Sequence, residues 1–86
     1  MILQIQNEKG LHARASAKFV AVVESFDAEA RVRRDGIEAV GDSIMGLLML
    51  AAAKGTEIDV QTSGLQADEL ATALKVLVDD LFGEGR

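Results

Sequence analysis

His12 is the single histidine of this 86-residue chain, and it lies in the run Gly10-Leu11-His12-Ala13-Arg14. Polar residues precede it and a helical pattern follows, which places it where a turn becomes a helix. A helix start offers unpartnered N–H groups and the positive end of the macrodipole, and together these receive anions. The same field favours the neutral, nucleophilic ring over imidazolium. An imidazole that attacks a phosphoryl group would gain anionic oxygens beside the backbone N–H groups of Ala13 and Arg14, with the Arg14 guanidinium placed to hold them. Arg14 points the same way by its position, because a cation in the first turn opposes the dipole unless an anion joins it. Taken alone, these residue types also fit a capping histidine and a solvated arginine.

Such a site has to be carried by one small domain, residues 1–86, with a single core. Hydrophobic residues make up 49% of the chain, enough to build that core, and the absence of cysteine means no disulfide helps it. Without cysteine there is also no thiolate metal site and no catalytic thiol. One histidine and scattered carboxylates give no expectation of a metal or other cofactor. A net charge of −5 excludes the dense basic face that a nucleic-acid backbone requires. Met1 to Gly10 lacks the basic start and apolar run of a signal peptide, and no apolar stretch reaches about 18 residues. The chain therefore reads as a soluble cytoplasmic protein with no membrane insertion.

Ile2 to Gln6 roughly alternate and predict a strand, with Asn7 to Gly10 as a polar turn. Ala15, Phe19, Val22, Val23 and Phe26 recur at helical spacing and predict a helix over about 13 to 26. Ala28, Ala30 and Val32 alternate with charged residues, and Asp35-Gly36 turns the chain into Ile37, Ala39 and Val40 as a hairpin. Ser43 would cap a short helix, Ile44 to Ala53, that Gly55 stops, with Leu47 and Leu50 as core candidates. Ile58 and Val60 mark a fourth strand that ends at Ser63-Gly64. Ala67, Leu70, Leu74, Leu77, Val78 and Leu81 predict a final helix, with Asp68 and Glu69 in its first turn and Gly83 closing it. This βαββαβα order, with half-polar strands and right-handed crossovers, predicts an α+β open-faced sandwich. Its antiparallel four-stranded sheet has order 1-4-2-3, with three helices on one face.

The run from Asn7 through Gly10-Leu11-His12-Ala13-Arg14 to Ala17 resembles the active-site segment of HPr, the histidine-containing phosphocarrier of the phosphoenolpyruvate-dependent phosphotransferase system. A second run, Asp42-Ser43-Ile44-Met45-Gly46-Leu47, followed by Leu48-Met49-Leu50-Ala51 and Lys54-Gly55, is similar to that family's regulatory-serine segment. The resemblance implies that His12 receives a phosphoryl group at Nδ1 from phosphorylated enzyme I and passes it to an enzyme IIA protein, assisted by Arg14. It further implies that an HPr kinase/phosphorylase phosphorylates Ser43, that Ile44, Met45, Leu48 and Ala17 meet partners, and that the protein is a monomer. The family usually has proline after the active-site arginine, whereas this chain has Ala15, so a looser helix start is expected, with Ser16 as a competing cap. Two other readings stand beside the carrier. One is a mainly regulatory phosphoprotein of a nitrogen- or carbon-control branch; the other is an acylphosphatase-like hydrolase, for which the chain has no second catalytic constellation.

Overall fold

In the computed structural model, which describes Met1–Arg86, the chain runs β1 (Ile2–Gln4), α1 (Ala13–Glu24), β2 (Glu29–Arg34), β3 (Ile37–Val40), α2 (Ile44–Met49), β4 (Glu57–Ser63) and α3 (Ala67–Asp79), then a single 3-10 turn, Leu81–Gly83. The four strands form one sheet in the order β1-β4-β2-β3, every neighbouring pair antiparallel. This is the predicted open-faced sandwich. Strand alternation builds its inner layer: Leu3, Ala30, Val32, Ala39, Ile58 and Val60 are buried, while Glu29, Arg31, Arg33, Glu38 and Gln61 face water. The helices cover the apolar face with Ala15, Phe19 and Val23 from α1, Leu47 from α2, and Leu70, Leu74 and Val78 from α3. Asp35 and Gly36, with φ of 50° and 78°, make the β2–β3 turn, whose left-handed pair matches the twist of the flanking strands.

The strand and helix ends differ from the pattern in ways that shape the site. The first strand stops at Gln4 instead of Gln6, although Ile5 stays fully buried and bonds to the bend before β4, donating to Thr56 O at 2.9 Å and accepting from Gly55 N–H at 2.7 Å. The chain then turns inward and buries Asn7. α1 ends at Glu24, because Ser25 caps it through its N–H to Val22 O at 3.1 Å. α2 ends at Met49 and does not continue to Ala53: Ala51 takes φ 50°, which leaves the helix and sends the Ala52 carbonyl to the N–H of Leu11 at 2.9 Å. Gly55 consequently belongs to a later turn and does not stop the helix.

α3 ends at Asp79, two residues short of Leu81. Leu81 and Phe82 follow with φ of 56° and 54°, a left-handed conformation that costs a non-glycine residue about 1–2 kcal/mol. Burial of Phe82 in the core, an aromatic side chain worth about 1.5–3 kcal/mol when fully removed from water, offsets much of that cost. Gly83 closes the 3-10 turn instead of the helix.

Candidate functional site

Two contacts hold the loop that leads into α1. Gly10 has φ +66°, and a Cβ built there would stand 2.5 Å from Ala52 O. Glycine is therefore required twice over, by conformation and by closeness to the backbone behind it. Buried Asn7 completes the clamp, its Nδ2 donating to Gly10 O at 2.8 Å.

His12 emerges from this loop as the N-cap of α1, in an extended conformation. Its carbonyl accepts the first intrahelical bond, from Ser16 N–H at 2.8 Å, so the N–H groups of Ala13, Arg14 and Ala15 precede the helical ladder. One of them is already directed at the ring: Arg14 N–H donates to His12 Nδ1 at 3.2 Å. The expected capping histidine and the expected reactive one are thus the same residue. Helix entry is at Ala13 despite the missing proline, with Ala15 fully buried. Ser16 does not compete as a cap; it is buried inside α1, and its hydroxyl donates back to Leu11 O at 3.3 Å.

The second ring nitrogen has a partner that sequence reading missed. His12 Nε2–H donates to the Glu84 carboxylate, whose other oxygen accepts from Asn7 Nδ2 at 2.9 Å. With Arg14 N–H donating to Nδ1, these bonds require the tautomer protonated at Nε2 and leave the Nδ1 lone pair at the helix start. Burial pushes the Glu84 carboxyl up, but the hydrogen bonds from Asn7 and His12 and the nearby charge of Lys18 outweigh it and hold it below its ordinary value of 4.5. Glu84 lies 72 residues from His12, so no local spacing announces the pair. The one available signal was Phe82, a large apolar residue beyond the helix that had to pack somewhere and would carry its neighbours with it.

An open cleft surrounds the ring, and Lys9, Arg14, Lys18 and Arg86 line it together with Glu8 and Glu84. Four cations against two carboxylates is a locally basic site in a chain whose net charge is −5, the polarity that an anionic group needs. His12 is 27% exposed, enough for a reacting group to reach it, and exposed Arg14 has no ion-pair partner in the chain. Lys18, one turn after Arg14, donates to Phe82 O at 2.6 Å.

Ser43 stands at a separate helix start. It is the N-cap of α2, its Oγ accepting from Gly46 N–H at 3.0 Å. α2 packs against α1 and exposes Ile44 and Met45, while Leu48 is half-buried and Leu47 and Leu50 are fully buried. Met49 is also largely exposed, and Ala17 is exposed on α1. No helix is long and apolar enough to cross a membrane.

Comparison with known proteins agrees with this arrangement. A family model described as the PTS HPr component phosphorylation site matches residues 2–80. The phosphocarrier protein HPr of Neisseria meningitidis serogroup A is 47% identical over 83 residues, covering 96% of this chain and 93% of that protein. The phosphocarrier protein NPr of Escherichia coli K12 is 40% identical over 83 residues, covering 95% and 92%. Among solved structures, HPr-C-His from Thermoanaerobacter tengcongensis superimposes with a TM-score of 0.93 at 32% identity, covering 98% of this chain and 94% of that one. The chain belongs to the HPr family, the phosphocarriers of the phosphotransferase system.

Proposed function

We propose that His12 is the phosphoryl acceptor, that phosphorylated enzyme I is its donor and that an enzyme IIA protein is its recipient. The observation that carries this reading is the ring itself, with Nδ1 facing the helix start and Nε2–H tied to Glu84. In the forward step the Nδ1 lone pair attacks phosphorus, the Nδ1–P bond forms, and the bond from phosphorus to the donor breaks. Arg14 N–H, which bonds to Nδ1 in the free protein, transfers to a phosphoryl oxygen, and the neighbouring Ala13 N–H and the Arg14 guanidinium serve the others. The ring becomes cationic while keeping its Nε2 proton, and the Glu84 carboxylate supplies the counter-charge. Transfer to the recipient is the reverse at a new acceptor, so the carrier has no turnover of its own.

Ser43 is the regulatory position in this reading, phosphorylated by an HPr kinase/phosphorylase. Ile44, Met45, Leu48 and Ala17 form the face that meets partners, the methionine adapting to several surfaces. A phosphate beside that face would weaken docking by repulsion and desolvation, without refolding. In this reading the protein works in the cytoplasm as a monomer, with residues 1–86 forming one domain.

The test is incubation with phosphoenolpyruvate and enzyme I, followed by intact mass and mild acid. One acid-labile phosphoryl group is expected on the native protein and none on His12→Ala. Labelling of His12→Ala would defeat the assignment. Steady release of inorganic phosphate from an acyl phosphate by the protein alone would instead favour a hydrolase.

A further inference from the structure

The seven residues after α3, Asp80 to Arg86, make specific contacts with the loop and helix that carry His12. Phe82 is fully buried and turns the backbone through two consecutive left-handed residues, and Lys18 Nζ donates to its carbonyl at 2.6 Å. Gly83 continues at φ +74°, close enough to the same ammonium that a Cβ would stand 3.3 Å from Nζ. Glu84 is thereby delivered to the ring, where its two carboxylate oxygens divide between Asn7 and His12. Asn7 is fully buried and spends its two donors on Gly10 O and Glu84, while its own Oδ1 has no partner. Reversing the amide would set Oδ1 against two acceptors, so the donors fix its orientation. An orphaned buried carbonyl at this point is explained by the value of the two N–H bonds beside it.

From this geometry we infer that Glu84 is a positioning residue for the phosphoryl-transfer reaction. It holds the His12 proton on Nε2 so that Nδ1 is presented unprotonated at the helix start, and Asn7 and Lys18 hold the strap that carries it. The inference rests on His12 being the acceptor, and it assigns to the tail a task beyond packing. A histidine whose distal nitrogen is bonded to a carboxylate has its tautomer and ring plane set together, whereas a weak bond from Arg14 N–H at 3.2 Å leaves both freer.

Long-range proton–nitrogen NMR of uniformly 15N-labelled protein reads the tautomer directly, with no transfer partner present. The native protein is expected to show the Nε2–H form. In Glu84→Ala the Nδ1–H form should appear, its share rising roughly tenfold, the effect of losing one charge-assisted hydrogen bond. Glu84→Gln keeps an acceptor and should lie between the two. Lys18→Met, which frees the strap and leaves Glu84 intact, should move the ring in the same direction by less. With enzyme I, Glu84→Ala should lower kcat for phosphorylation, because the ring loses both its fixed plane and the counter-charge to its cationic form, and leave KM for enzyme I unchanged, whereas a tail that merely stabilised the docking face would raise KM. An unchanged His12 spectrum in Glu84→Ala, with the fold intact by circular dichroism, would overturn the inference. Failure of the native protein to accept phosphate would instead remove the carrier reading, and the tautomer measurement would still decide what Glu84 does.

Discussion

Replacing Gly10 with alanine separates the demands that the active-site loop makes on its sequence. A left-handed alanine costs about 1–2 kcal/mol, and the reduced entropy of the unfolded chain returns about 0.4–1 kcal/mol. Gly36 measures that backbone cost by itself, since it has φ +78° and nothing within 4 Å of its Cβ position. Gly36→Ala should therefore lower stability by about 1 kcal/mol or less. At Gly10 the new methyl would lie 2.5 Å from Ala52 O and 2.9 Å from Ala53 Cα, backbone atoms that no rotamer change can clear. The loop must lift, which breaks the Leu11 N–H to Ala52 O bond and strains Asn7 to Gly10, at about 0.5–1.5 kcal/mol for each bond lost. The two bonds add about 1–3 kcal/mol to the backbone cost that Gly36→Ala measures, and at about 4–8 °C per kcal/mol the melting temperature of Gly10→Ala should fall at least about 4 °C further than that of Gly36→Ala. Urea and thermal denaturation of both variants make the comparison. Equal losses would show that the contact with Ala52 does not clamp the loop, and the account of how His12 is positioned would fail with it.

Other consequences are simpler. Arg14→Ala should slow phosphorylation at least tenfold while changing stability by less than about 0.5 kcal/mol, because the side chain is exposed and unpaired; stopped-flow transfer and a melting curve check both halves. Ser43→Ala removes the bond to Gly46 N–H and should cost about 1 kcal/mol, read as a lower urea midpoint, without abolishing transfer at His12. Ser43 phosphorylated to completion should slow that transfer, and unchanged kinetics would remove Ser43 from regulation. Glu84 has its carboxyl held below 4.5, so its contribution is present above that pH and is lost as acid protonates it. Melting temperatures from pH 7 to pH 3 should fall further for the native protein than for Glu84→Gln; parallel curves would show that Glu84 contributes no linkage.

Much of this was legible in the residues because it is local. Alternation at Ala30 and Val32, the Asp35-Gly36 turn and the stripe from Leu70 to Val78 record the strands, hairpin and last helix directly. His12 and Ser43 were visible for the same reason, each one residue ahead of a helical pattern. Helix ends were harder, since Ala51 and Leu81 leave their helices to satisfy contacts made elsewhere: the Ala52 carbonyl meets Leu11, and Phe82 enters the core. Glu84 was invisible because its role depends on three-dimensional return of the tail to Asn7 and His12. Lys18 could have been noticed as the residue one turn beyond Arg14, on the same helix face.

The most direct measurement of the central claim is the atom that carries the phosphate. After phosphorylation by enzyme I and phosphoenolpyruvate, 15N-labelled protein kept at alkaline pH should show a one-bond phosphorus–nitrogen coupling to Nδ1 of His12, with Nε2 unsubstituted. Coupling to Nε2, or phosphate found at any residue other than His12, would contradict a site in which Glu84 occupies the Nε2 edge of the ring and the start of α1 receives the phosphoryl group at Nδ1.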